Sequence, residues 1–259
     1  MSHRLKFHYD TFLKFNKPVR EHDFVLRCVP PSFAGQEILQ SKLIVEPGTD
    51  LMTQTDVYGN QLAIGRIGEN HTYFHYLVEG TARIDFKKRE KEICHPIFRF
   101  PSPYTRTSKE MLAFLDSLIL PEDPFDIAKE IAKAVHDTME YLPGTTNTHT
   151  KAVDAFALKK GVCQDYAHIC LSLLRAKGIP SRYVTGLPEG TGASHAWVEV
   201  YVDGYWIGMD PTRRKMADET YLVIGRGRDF GDCPMERGVF HGLSDQTQTV
   251  FMEVISQQE

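Results

Sequence analysis

The chain has 259 residues, 42% hydrophobic and 25% charged, with a formal net charge of -4 at pH 7. That is an ordinary globular composition, long enough for one or two cores, and its mild acidity offers no footprint for nucleic acid. No run approaches the ~18 apolar residues of a membrane span, and the start, Met1-Ser2-His3-Arg4-Leu5-Lys6-Phe7-His8, has no apolar signal-peptide core, so a cytoplasmic protein without membrane or nucleic-acid partners is expected.

The first hundred residues read as strands. Segments rich in β-branched and aromatic residues, at 5–15, 23–29, 38–45, 61–67 and 72–78, alternate with turn chemistry at Pro30-Pro31, Pro47-Gly48, Tyr58-Gly59-Asn60 and Glu79-Gly80. This spacing predicts a β-sandwich, with His71 and His75 as strand-surface or interface residues. The charged run 87–92, followed by Pro96, Pro101 and Pro103, suggests a boundary, dividing the chain into a β-domain at 1–95 and a second domain at 96–259.

From about residue 107 the apolar period becomes helical. Thr107-Ser108-Lys109-Glu110 has a capping-box pattern ahead of Met111, Leu112, Leu115, Leu118 and Ile119. Asp123-Pro124 caps and opens a second helix with Ile127, Ile131, Ala134 and Val135 inward. A third is expected over 150–160, ended by Gly161. The fourth runs from Cys163, whose stripe continues through Ala167, Cys170, Leu171 and Leu174, and stops at Gly178 and Pro180. Cys163 is therefore expected to be buried at a helix N-terminus, where unpaired N–H groups favour a thiolate. Helices followed by strands indicate an α+β domain.

The strands that follow bring in two more reactive groups. Period two along 195–202 places His195, Trp197, Glu199 and Tyr201 on one face and Ala196, Val198, Val200 and Val202 on the other. Asp203-Gly204 is a two-residue hairpin signal; from it Val202 faces Tyr205, Tyr201 faces Trp206, and Trp197 faces Asp210. Asp210 is then a diagonal neighbour of His195 on the same face, ~7–8 Å away between Cα atoms. A thiol at a helix start, a histidine opening a strand and an acid able to orient it are the parts of a cysteine nucleophile site. The five cysteines, at 28, 94, 163, 170 and 233, are odd in number and scattered, which argues against a disulfide framework. Cys163, Cys170, His168 and His195 match no common zinc spacing, and no metal or other cofactor is expected.

Three blocks, Gly161-Val162-Cys163-Gln164-Asp165-Tyr166-Ala167-His168, Ala193-Ser194-His195-Ala196-Trp197-Val198-Glu199-Val200-Tyr201 and Asp210-Pro211-Thr212, resemble the Cys, His and Asp motifs of the transglutaminase-like superfamily in their chain order. Residues 141–146 and 225–232 and the β-domain with Tyr58-Gly59-Asn60 are similar to its bacterial branch, which includes cysteine proteases. The resemblance implies a papain-like core of helices on an antiparallel sheet after a β-sandwich, with Cys163, His195 and Asp210 catalytic. The calcium-site acidic clusters of animal transglutaminases are missing. A peptide or amide substrate is expected, cleaved through a thioester on Cys163; transfer to a primary amine and a non-catalytic scaffold role are the alternatives. The Cys163 N–H can donate to the oxyanion, with Tyr141, Asn147 or Gln164 as the second donor. Trp197 either walls the site or packs as a core residue.

Overall fold

The structure is a computed structural model that describes residues 3–257. It has an α+β architecture built on two antiparallel sheets, with few helices. In the first region, β1 (His3–Leu26), β2 (Gln36–Glu46), β3 (Met52–Thr55), β4 (Gln61–Ile67) and β5 (His71–Ile84) are joined by short turns. The strands expected at 5–15 and 23–29 are one continuous β1, interrupted by irregular pairing between Lys14 and Asp23, where Glu21 takes a positive φ of 51°. This bend lets β1 serve two neighbourhoods and curls the sheet: its first half lies between β5 and β15, its second half pairs with β4 and β14. Glu79-Gly80 is not a turn. Gly80 lies within β5, where a Cβ would overlap the Gln40 carbonyl oxygen and the Phe7 ring, so glycine is required by close strand approach.

Next come α1 (Lys109–Asp116), α2 (Pro124–Thr138), β6 (Glu140–Tyr141), α3 (Ala152–Leu158), β7 (Lys160–Gly161) and α4 (Cys163–Ala176). Ser108, one residue later than expected, caps α1 by accepting from Met111 N, and Asp123 caps α2 through Phe125 N and Asp126 N. The end of α3 is set by Lys159 in the left-handed region, not by Gly161. The second sheet, in the order β12-β11-β10-β8-β13, contains β8 (Ser181–Pro188), β10 (His195–Val202), β11 (Tyr205–Asp210), β12 (Lys215–Met216) and β13 (Tyr221–Gly227), while β9 (Gly190–Gly192) joins the first sheet. Helix α4 packs its apolar stripe on Ala196, Val198 and Val200 of β10, as the alternation predicts.

The chain then returns to the first sheet. β14 (Glu236–His241) and β15 (Gln246–Gln257) both pair with β1, so residues 236–257, grouped with the second domain by the sequence reading, complete the sheet of the first. Two buried amides join the halves. Gln36 donates to the Val223 carbonyl and accepts from Val223 N, both at 2.8 Å, and Asn60 accepts from Arg226 N at 2.7 Å and donates to the Arg226 carbonyl at 2.8 Å. Each satisfies a pair of backbone groups on the outer edge of β13 that would otherwise be open. Leu187, Leu222 and Ile224 of the second sheet also pack into the core of the first.

Candidate active site

Cys163 is the first residue of α4, so its N–H and that of Gln164 have no intrahelical acceptor. The turn before it is fastened by Asp165, whose Oδ2 accepts from Val162 N at 2.8 Å and from the Thr146 hydroxyl at 2.7 Å. A Cβ on Gly161 would overlap that carboxylate, which explains the glycine two residues before the cysteine. Cys163 is partly accessible and not fully buried as expected, whereas Cys28, Cys170 and Cys233 are buried. Burial pushes the Cys28 thiol up to about 12 and raises those of Cys94, Cys170 and Cys233 as well.

His195 opens β10 opposite Gly186, at the end of the sheet where α4 begins. The hairpin register follows the expected count, from Val202 opposite Tyr205 to Val198 opposite Met209, with Asp203 and Gly204 both at positive φ. It brings His195 Nε2 to 2.7 Å from Asp210 Oδ2. A carboxylate only accepts, so Nε2 carries the hydrogen and Nδ1 is the nitrogen left for Cys163. Burial disfavours the charged ring, but the hydrogen bonds and charges of Asp210 and Cys163 outweigh it and raise the His195 pKa to about 9.

Asp210 is 1% exposed. Its Oδ2 also accepts from the Tyr221 hydroxyl at 2.8 Å, and its Oδ1 accepts from Thr212 N and Arg213 N at 2.9 and 3.0 Å. Burial works against the carboxylate, yet His195, Tyr221 and the Arg213 amide together hold its pKa below the ordinary value. The backbone donors come from the turn at Pro211, so that turn positions the acid as well as ending the strand. Tyr221, which the sequence reading did not single out, is thus part of the assembly.

The remaining expected residues separate. Tyr141 is half exposed on β6, close enough to Cys163 that a thiolate there raises its phenol pKa, after burial as the larger cause. Gln164 directs its amide to the Thr148 carbonyl at 3.4 Å. Asn147 accepts from His149 N at 2.9 Å and so serves its own turn. Trp197 is fully buried, stacked on His195 with ring centroids 6.3 Å apart and edge-on to Tyr221 at 5.1 Å. It forms a floor beneath the imidazole and the acid; Gly186 leaves room for its ring. His168 is a buried neutral residue pushed down to about 3 by burial, and its Nε2 accepts from Phe230 N, anchoring the 228–232 loop. Among the described residues no group of three metal-ligating side chains is placed to hold an ion, and no helix is long and apolar enough to cross a membrane.

Helices on an antiparallel sheet, with a thiol at a helix start facing an imidazole–carboxylate pair, define a thiol-based site on an α+β scaffold. Residues 116–211 match the transglutaminase-like superfamily, and residues 5–83 match the bacterial transglutaminase-like N-terminal region. The chain belongs to the transglutaminase-like superfamily. It is similar along its length to the crystal structure of a putative cysteine protease from Cytophaga hutchinsonii, with 25% identity, a TM-score of 0.84, and coverage of 100% of this chain and 92% of that one. An uncharacterized protein of Mycobacterium leprae is 26% identical over 97% of this chain and 98% of its own. An uncharacterized protein of Mycobacterium tuberculosis is 31% identical over 145 residues, 49% of this chain and 46% of that protein.

Proposed function

We propose that the protein is a cysteine hydrolase that cleaves a peptide or amide bond through a thioester on Cys163, with His195 and Asp210 completing a catalytic triad. The observation that carries this reading is the His195–Asp210 contact at 2.7 Å beside the Cys163 thiol. In this mechanism the thiolate attacks the carbonyl carbon and His195, as imidazolium, gives its Nδ1 proton to the departing amine. Neutral His195 then takes a proton from water, which attacks the thioester and releases the acid and the thiolate. Asp210 keeps the Nε2–H tautomer throughout and balances the ring's charge.

The Cys163 N–H at the start of α4 is the first oxyanion donor in this scheme, and the half-exposed Tyr141 beside the thiol is the side chain best placed for the second. The likeness to the Cytophaga protein supports water as the acceptor. The test is product analysis by mass spectrometry. Peptide amides are incubated with native and Cys163→Ala protein, with and without a primary amine. Water-derived acids formed only by the native protein, with a transient acyl adduct on Cys163, are expected; exclusive formation of amine adducts would replace hydrolysis by transamidation.

A further inference from the structure

The face of the second sheet turned away from α4 carries His195 and Trp197 at one end of β10 and a cluster of charges further along. There Glu199 of β10 lies between Arg182 of β8 and Arg226 of β13. Arg182 donates to it through Nε at 2.5 Å, and Arg226 through Nε and Nη2 at 3.0 and 3.2 Å, so both carboxylate oxygens are taken. Phe33 and Ala34, together with Phe86 and Arg89 from the stretch after β5, cover this face and enclose a cavity of about 20 Å³, room for one water-sized occupant.

Three guanidiniums thus meet at one cavity, each laid on an aromatic ring that also lines it: Arg182 on Trp206, Arg226 on Phe33 and Arg89 on Phe86, at 4.1, 3.8 and 4.6 Å from the ring centroids. One buried carboxylate serves two of them. Among the described residues no carboxylate lies within ion-pair distance of Arg89; Glu90 and Glu92 hold exposed positions at the rim, and Glu92 stays 3.6 Å from Arg182 Nη1. Arg182 Nη2 is fully buried and has no hydrogen-bond partner. Burial lowers the pKa of Arg182 to about 10 and lowers that of Arg89, and repulsion from Arg226 adds to both, against the pull of Glu199, Glu92 and Glu219. A water molecule would accept from these N–H groups but leave the surplus charge in place. A monatomic anion supplies the acceptor and the opposite charge together, and guanidinium, weakly hydrated and rich in donors, suits a halide.

We propose that this cavity is a binding site for a single chloride ion, held by Arg89, Arg182 and Arg226. Trp197 lines the same cavity while its ring is stacked on His195, so the ion braces from behind the floor on which the imidazole rests.

Both tryptophans of the chain, Trp197 and Trp206, line the cavity, so their fluorescence reads its occupancy. Chloride is titrated into the native protein in gluconate buffer at constant ionic strength, which removes screening as a variable. A saturable change in emission, complete by ~0.15 M chloride, is expected, with a melting temperature that rises with chloride as that affinity requires. Bromide should act alike, and crystals soaked in it should show its anomalous scattering among the three guanidiniums. Arg89→Gln, at a partly exposed position outside the catalytic residues, should weaken chloride binding at least about tenfold. Emission and melting that ignore chloride, a response unchanged in Arg89→Gln, or no bromide peak in the cavity would each overturn the proposal and leave the space to water. These readouts do not use Cys163, so they stand whether or not the protein is a hydrolase.

Discussion

Replacing Asp210 by asparagine separates the acid's charge from its shape. In the native protein three groups hold the carboxylate, Tyr221 Oη and the N–H groups of Thr212 and Arg213, and it holds His195 Nε2 at 2.7 Å. The ring's pKa stands at about 9 against an ordinary 6.5, with burial pushing downward and the hydrogen bonds and charges of Asp210 and Cys163 pushing upward. Of each kind of upward influence, that of Asp210 is at least as large as that of Cys163. Asp210 supplies the first of those upward influences, so removing it lowers the ring's pKa from about 9. Each tenfold fall in the imidazolium-to-imidazole ratio that this produces at a fixed pH corresponds to ~1.4 kcal/mol. The amide also turns an N–H toward Nε2, forcing the ring into the other tautomer and placing a hydrogen on Nδ1 without a net charge. Titration of the ring by carbon-13 NMR in native and Asp210→Asn protein measures the shift, and hydrolysis is expected to drop ~10²–10⁴-fold. A ring that still titrates near 9 in the variant would refute the assignment of its charge to Asp210.

Tyr221→Phe removes the 2.8 Å hydrogen bond to Asp210 Oδ2 while keeping the ring packed on Trp197, and is expected to cost ~1 kcal/mol in a urea melt with a several-fold loss of kcat. Gly161→Ala places a methyl group on the Asp165 carboxylate and so loosens the Val162 N–H at the start of α4; slower alkylation of Cys163 with the helical circular dichroism retained is the expected pair of results. Glu199, tied to Arg182 at 2.5 Å and Arg226 at 3.0 Å, overcomes burial to reach a pKa of about 2 against 4.5. Because the folded value is depressed, its stabilisation is complete above about pH 4.5 and fades as pH falls toward 2, ~3 kcal/mol in all. Glu199→Gln should therefore lower the unfolding free energy from urea melts at pH 7 by the ~3–5 kcal/mol expected when buried arginines lose their partner, and flatten its fall between pH 5 and 2.5.

How much of this was legible in the sequence depended on how local the determinant was. The His195–Asp210 pair follows from one hairpin: Asp203-Gly204 sets the turn, period two sets the face, and only a count of residues separates the two. The start of α4 is likewise local. Tyr221 was not legible because β13 reaches the acid on β11 across β8 and β10, and no spacing along the chain reports such a contact. The return of β14 and β15 to β1 is also a long-range pairing, and their polar, largely exposed residues carry little of the alternation that marks a half-buried strand. Gly80 was misjudged as a turn because its reason, contact with Gln40 and Phe7, lies on other residues of the sheet. Asn60 and Gln36 show the same limit from the other side: as residues of a turn and a strand start they look ordinary, and their task appears only where β13 presents its edge.

The central claim is that Cys163 is a nucleophile activated by His195. Iodoacetamide alkylation of each cysteine in the native protein across pH 4–9, followed by mass spectrometry with His195→Ala alongside, tests it most directly. Cys163 should react first, remain reactive well below the ~8.5 of a free thiol, and lose that low-pH reactivity in the variant, while Cys28, Cys170 and Cys233 stay silent. A Cys163 that reacts no faster than Cys94 and is indifferent to His195 would contradict the account.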